Sequence, residues 1–219
     1  MFKKVILSLF LFIFSQSNCI AEFVKQADEY TCAPTCTFNL IKTICPECQT
    51  SIQDLAVLMK TDKNGTTTFN LCKGLEEYFH IQNKKINIEY YGHKNVKKYK
   101  KNSNINLIYL KKHIENNGQA IINIGIYIKN IDNSFIRQWG HYVNVIEIEN
   151  NSIKVSDPYD KQNKISTWTN IELTKINKIK NINDNEKYKT INNFYLIKNG
   201  INYLNIDEFA MINGIIFLK

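Results

Sequence analysis

Glycine and proline are scarce in this 219-residue chain, numbering eight and three. That excludes a collagen-like repeat and a chain dominated by flexible linkers. No apolar run reaches the roughly 20 residues that a membrane-spanning helix needs, and no internal repeat is visible. A concentrated basic block is also missing. The net charge is +8, but the lysines are spread among Asn and Asp, so nucleic acid is not an expected partner. What is present, 44% hydrophobic and 12% aromatic residues, is enough to bury a substantial core.

The first twenty-one residues carry the signature of a secretory signal: Lys3 and Lys4, an apolar run from Val5 to Phe14, then the small-residue exit Cys19-Ile20-Ala21. Cleavage after Ala21 predicts a mature chain of residues 22–219 folded as one domain, secreted or periplasmic, with no transmembrane anchor. Removing two lysines and no acids leaves a charge of +6, which gives modest attraction to acidic envelope surfaces and no more. Cys19 invites comparison with a lipidation site, but Gln16-Ser17-Asn18 lacks the apolar residue and small neighbour of such sites.

Export changes how the remaining cysteines are read, because thiols outside the cytoplasm tend to pair. Five lie beyond the signal: Cys32, Cys36, Cys45, Cys48 and Cys72. An odd number requires a free thiol or an intermolecular bond. Parity and export favour two structural disulfides among Cys36, Cys45, Cys48 and Cys72, in any of three pairings, with Cys32 left free. Cys45-Pro46-Glu47-Cys48 also has the spacing of half a zinc site or of a redox pair. A zinc site needs a second close pair, and a redox motif normally follows a strand, so no metal is expected.

Helical spacing runs through Ala33, Cys36, Leu40, Ile41 and Ile44, with Pro34 tolerated only in a first turn and Pro46 ending the run. This predicts a helix from Cys32 with Thr31 as N-cap. Ser51 with Asp54 resembles a capping box ahead of Ile52, Leu55, Ala56 and Met59, which predicts a second helix. Leu71, Cys72, Leu75, Tyr78 and Phe79 follow the Asn64-Gly65 turn as a third helix, and Asn104–Asn116 reads as a fourth. Strands are expected at Ile86–Tyr91, Ala120–Ile128, Asn193–Lys198 and Gly214–Leu218. An antiparallel hairpin joins His141–Ile148 to Ile153–Asp157 across an Asn-rich turn. The Asn/Lys-rich stretch Lys175–Lys189 fits a long loop or a solvated helix equally well.

The chemistry concentrates in Gln26 to Pro34, in Gly140-His141-Tyr142, and in Asp157-Pro158 downstream. A cysteine in the first turn of a helix meets unsatisfied backbone N–H groups and the positive end of the macrodipole, both of which stabilise a thiolate. Cys32 is so placed. A histidine at the start of a strand can take the thiol proton and return it to a leaving amine, while a carboxylate on the neighbouring strand fixes its tautomer. His141 and Asp157 have that arrangement. Gln26, six positions before Cys32, is close enough for its amide to join the Cys32 backbone N–H as donors to an oxyanion.

These residues resemble the papain-like cysteine peptidases, most closely the bacteriocin-processing double-glycine branch. That family carries a Gln six residues before a helix-starting Cys, then Gly-His-Tyr, a small hairpin and Asp-Pro. Gln26, Cys32, Gly140-His141-Tyr142 and Asp157-Pro158 match these one by one, and Gly65-Thr66-Thr67 is also similar. The resemblance spans Val24 to Tyr159. Thr31 and Ala33 stand where the family usually has an acidic residue and a glycine. The double-glycine peptidases belong to cytoplasm-facing exporters, so their leader-peptide substrate is not carried over to a chain with its own signal.

The resemblance implies an α+β, papain-like fold in which a helical lobe packs on an antiparallel sheet. It implies a catalytic set of Cys32, His141, Asp157 and Gln26, with no cofactor. The expected activity is hydrolysis of a peptide or isopeptide bond in a peptide or protein substrate, through an acyl-enzyme. Two alternatives share the fold: acyl transfer to an amine, as in transglutaminase-like relatives, and a secreted binding module without turnover. The other histidines are poorer bases. His113 sits among Lys111, Lys112 and Glu115 on an expected solvated face, and His80 and His93 lie near element ends. Trp139 stands where it could shield the histidine from water. Asp157 is useful only on the face of the sheet that His141 occupies, so the two strands must pair with an even residue sum. A two-residue Asn150-Asn151 turn gives an odd sum. An odd-length loop, or a bulge between Ile148 and Ile153, is therefore expected.

Overall fold

The computed structural model describes residues 23–159, 168–183 and 188–219; the expected signal segment lies outside them. Among the described residues four helices come first or early, α1 (Cys32–Ile44), α2 (Ile52–Leu58), α3 (Thr68–Ile81) and α4 (Leu107–Glu115). Eight strands accompany and follow them: β1 (Ile88–Gly92), β2 (Lys100–Asn102), β3 (Gln119–Lys129), β4 (Phe135–Glu149), β5 (Ser152–Ser156), β6 (Trp168–Asn183), β7 (Tyr188–Asn199) and β8 (Glu208–Leu218). No described helix is long and apolar enough to cross a membrane.

The helix starts follow local chemistry. Ser51 Oγ accepts from the Asp54 N–H at 3.1 Å while the Asp54 carboxylate accepts from the Ser51 N–H at 3.2 Å, which completes the capping box. Thr67 caps α3 and Asn106 caps α4 in the same way, through the N–H groups of Asn70 and Tyr109. With few glycines available, asparagine takes most left-handed positions: Asn83, Asn117, Asn133 and Asn150 in turns, and Asn181 and Asn193 within β6 and β7, all have positive φ. Asn tolerates that region because its short polar side chain bonds locally.

The sheet departs from the antiparallel layer that the sequence suggests. Strands β8, β3, β4, β5, β6 and β7 form a closed ring, because β7 pairs back onto β8 through Leu196↔Met211 and Ile197↔Ala210. Two of the pairings, β1 with β2 and β4 with β6, are parallel. Closure follows from how β8 divides one edge. Its first half meets β7, and residues from Gly214 to Leu218 meet β1. Between the two halves Asn213 is an extra residue in the ladder with β3, where Asn123 pairs Gly214 and Ile124 pairs Ile212. Such a bulge increases local twist, and covering the edge removes unpaired backbone groups. Gly214 is required there, since a Cβ would lie 2.3 Å from the Tyr90 hydroxyl.

The stretch Lys175–Lys189 is neither loop nor helix where it is described. It belongs to β6 and β7, with Ile171, Leu173 and Ile182 buried and Lys175, Lys178 and Lys180 exposed. Isoleucines face in and lysines face out. The even-numbered β3 residues Ala120, Ile122, Ile124 and Ile126 share a core with Val143 and Val145 of β4 and Leu107 and Leu110 of α4. On the opposite face, Ile121 and Tyr142 join the helices α1 to α3.

His113 is buried rather than solvated. Its Nε2 lies 3.0 Å from the Gln119 carbonyl, and its ring meets Phe217 edge-on at 5.1 Å. The helix turns it inward because Gly118 closes the turn against it, the Gly118 N–H donating to the His113 carbonyl at 2.8 Å.

Candidate active site

Helix α1 begins at Cys32, as its first-turn proline requires. The turn before it is braced by Asp28, whose Oδ1 accepts from the N–H groups of Tyr30 and Thr31 at 3.0 and 2.8 Å. Thr31 is the N-cap but contributes no side-chain hydrogen bond; Asp28 braces the turn that leads into the helix and leaves the first helical N–H groups uncapped. Gln26 is tied to the far side of the site, its backbone N–H donating to the Pro158 carbonyl at 3.0 Å. Its Nε2 donates to the Asp28 carbonyl at 2.6 Å. Cys32, Gln26, His141 and Asp157 are all buried. The first three line one cleft of about 530 Å³, together with Trp139, Tyr159 and Tyr203.

The hairpin meets the parity requirement by an unexpected route. The turn is the two-residue Asn150-Asn151, with Glu149 opposite Ser152, and the ladder starts with an odd sum. The loop is therefore not odd in length. Beyond Glu147↔Lys154 the next pair is Val145↔Val155, so Ile146 is a bulge and the sum becomes even. That bulge lies in β4, before Ile148 rather than between Ile148 and Ile153. Extending the corrected register past Ser156 sets Asp157 opposite Val143, on the His141 face. His141 Nε2 lies 2.6 Å from Asp157 Oδ1.

Asp157 is held by more than the imidazole. Oδ1 also accepts from the Tyr159 N–H at 2.8 Å, and Oδ2 accepts from the Tyr203 hydroxyl at 2.9 Å. With Nε2 on the carboxylate, Nδ1 of His141 is the ring nitrogen left for the thiol. Burial is the largest influence on His141 and pulls its pKa down. The charge and hydrogen bond of Asp157, with a hydrogen bond and charge from Cys32, outweigh it and raise the imidazole to about 10. The rings of Tyr159 and Tyr203 meet His141 edge-on at 6.2 and 5.6 Å, and Trp139 packs on Tyr203 at 5.7 Å. Trp139 thus reaches the histidine through Tyr203. Sequence reasoning missed Tyr203 because it lies in a connection with no periodic pattern, 46 residues beyond its partner Asp157.

The cysteines depart from the expected two bridges. Cys45 and Cys48 are bonded to each other, while Cys32, Cys36 and Cys72 are free and buried. The Cys36 thiol donates to the Tyr142 carbonyl at 3.2 Å, and burial pushes the thiols of Cys36 and Cys72 upward. Both act as small apolar residues of the helical core. Cys45, Glu47 and Cys48 form the one cluster of possible metal donors among the described residues, and its two sulfurs are spent on each other.

No family model and no curated protein sequence matches the chain. Among solved structures it is similar to the peptidase domain of Streptococcus ComA, a bi-functional ABC transporter involved in a quorum-sensing pathway. The match has 19% identity and a TM-score of 0.44, over 69% of this chain and 85% of that one.

Proposed function

We propose that this protein is a cysteine peptidase that cleaves a peptide or isopeptide bond through an acyl-enzyme on Cys32. The observation that carries the reading is the buried imidazole of His141, 2.6 Å from Asp157 and in the same cleft as the helix-starting Cys32. An imidazole raised to about 10 is an imidazolium at neutral pH, the partner that a thiolate nucleophile needs. In the proposed cycle Cys32 Sγ attacks the scissile carbonyl carbon and the C–N bond breaks as His141 gives its proton to the leaving amine. His141 then takes a proton from water, and the resulting hydroxide hydrolyses the thioester and frees Cys32. One Nε2 hydrogen of Gln26 is spent on Asp28; an amide has two, and the second joins the Cys32 N–H as donors to the developing oxyanion.

The reading extends to an exported protein acting on a peptide or protein substrate, and the Cys45–Cys48 bridge supports an oxidising compartment. The test is cleavage of a diverse peptide library. Cys32→Ala should abolish turnover and His141→Ala should cut it by orders of magnitude, with both variants folded. Gln26→Ala should cost about 10²- to 10³-fold, as for loss of one oxyanion donor. Undiminished cleavage by Cys32→Ala overturns the assignment.

A further inference from the structure

Tyr203 belongs to the connection between β7 and β8, well beyond every residue of the candidate set in sequence. Its hydroxyl is 2.9 Å from Asp157 Oδ2, the carboxylate oxygen that faces away from the imidazole. Oδ1 already serves His141 Nε2 and the Tyr159 N–H. A carboxylate bonded through one oxygen alone still turns about its side-chain torsions; one bonded through both does not. The Tyr203 ring is itself fixed from three sides. It meets His141 edge-on at 5.6 Å and Tyr159 edge-on at 5.1 Å, and Trp139 covers it at 5.7 Å. The indole N–H of Trp139 reaches Glu208 Oε1 at 3.3 Å, at the start of β8.

We infer that Tyr203 is a positioning residue for the Cys32–His141 pair: its hydroxyl locks Asp157 through Oδ2 and spreads the carboxylate charge, which aims the imidazole at the thiol and restrains its basicity. The inference rests on the peptidase reading. Burial, then the Asp157 charge and hydrogen bond, push the Tyr203 hydroxyl well above its ordinary value. It therefore remains a donor across the range in which His141 titrates. Among the described residues the other titratable and charged groups of the imidazole and its cleft are Glu29 before α1, Cys32 and Cys36 from α1, Lys63 before α3, Arg137 and Tyr142 from β4, and Asp157 with Tyr159 after β5. Only Asp157 and Tyr159 among them touch Tyr203, so a change at position 203 reaches the imidazole through Asp157.

The inference is tested by alkylating Cys32 with iodoacetamide across pH, alongside kcat and KM for a cleaved peptide. Removing the hydroxyl in Tyr203→Phe concentrates the charge of Asp157, which strengthens its hold on the imidazolium. The alkaline inflection should move upward from about pH 10. At neutral pH the kcat should fall about threefold to tenfold with KM unchanged, the scale of one net hydrogen bond lost from a carboxylate that keeps its partners on Oδ1. Replacing Tyr203 by 3-fluorotyrosine keeps the ring and strengthens the donor, so the inflection should move the other way. A folded Phe variant whose pH profile and kcat superimpose on the parent overturns the inference, as does a fluorotyrosine protein with an unshifted inflection. The second arm decides should the Phe variant not fold. Unmodified protein in which Cys32 alkylates no faster than a simple thiol overturns the peptidase reading and this inference with it. A reactive Cys32 with unmoved inflections overturns this inference alone.

Discussion

At the residue scale, the His141–Asp157 pair couples folding to pH. Folding raises the imidazole from its ordinary 6.5 to about 10, against the opposing effect of burial. A group whose pKa is raised by folding contributes its full stability below the unfolded value and loses it as pH climbs to the folded one. The contribution is therefore complete below about pH 6.5 and drains away by about pH 10. Thermal melts across that window should show stability falling, and Asp157→Asn, which removes the raising charge, should flatten the slope. Equal slopes in the two proteins would show that the pair does not titrate with folding. The thiols give a second check at this scale. Of the three free thiols described, mild alkylation of the native protein should label Cys32 alone, because Cys36 and Cys72 have no exposure to solvent while Cys32 lines the cleft. Denaturation without reductant should then expose those two as well, and labels on Cys32, Cys36 and Cys72 but not on Cys45 or Cys48 by mass spectrometry would match one bridge rather than two.

At the element scale, α1 is fixed at both ends by different chemistry, Asp28 before Cys32 and the Cys45–Cys48 bridge after Ile44. The bridge closes a very short loop, with a sequence separation of 3. The chain-entropy account then gives about 2 kcal/mol of stabilisation, less than a bridge spanning a long loop. Cys48→Ser should lower stability by about that amount and leave alkylation of Cys32 unchanged, since the bridge lies at the opposite end of the helix. A large loss of Cys32 reactivity would mean that the bridge governs the site through α1. Much at this scale was legible in the sequence, because capping and periodicity are local. The start of α1 at Cys32, the Ser51–Asp54 box and the β4–β5 hairpin all follow from residues within a few positions of one another. The requirement that His141 and Asp157 share a face was also legible, being parity alone. The means of meeting it was not. Nothing in Val145-Ile146-Glu147 marks Ile146 as a bulge, and its position is set by pairing with β5. One thiol assignment failed for a similar reason. Whether Cys36 and Cys72 meet depends on how α1 and α3 pack, which spacing along the chain does not encode.

For the whole molecule, the strand that matters most is the last. β8 pairs with β1, β3 and β7, so the ring is closed, and the early strand β1 is held, by residues that come at the end of the chain. This was the least legible part of the fold. The alternation of Lys and Asn with Ile in β6 looks solvated when read alone, and only closure of the ring explains why Ile171 and Leu173 are buried. The candidate site depends on the same closure, because Tyr203 and Glu208 reach Asp157 and Trp139 from the β7–β8 connection and the start of β8. Gln26, Cys32, His141 and Asp157 all precede residue 160, yet a chain cut after Asn199 should not form their geometry. It would leave the backbone of β1 without its β8 partners, expose one edge of β3, and strip the buried Ile212, Ile215, Ile216 and Phe217 from the core. Burying an aliphatic or aromatic side chain of this size contributes about 1.5 to 3 kcal/mol, and four lost together approach the whole net stability of a domain, about 5 to 15 kcal/mol. The truncated chain should melt without a cooperative transition, be digested rapidly by an added protease, and alkylate Cys32, Cys36 and Cys72 at one common rate. Cooperative melting with selective labelling of Cys32 would instead show that residues 23–199 carry the fold and the site without β8.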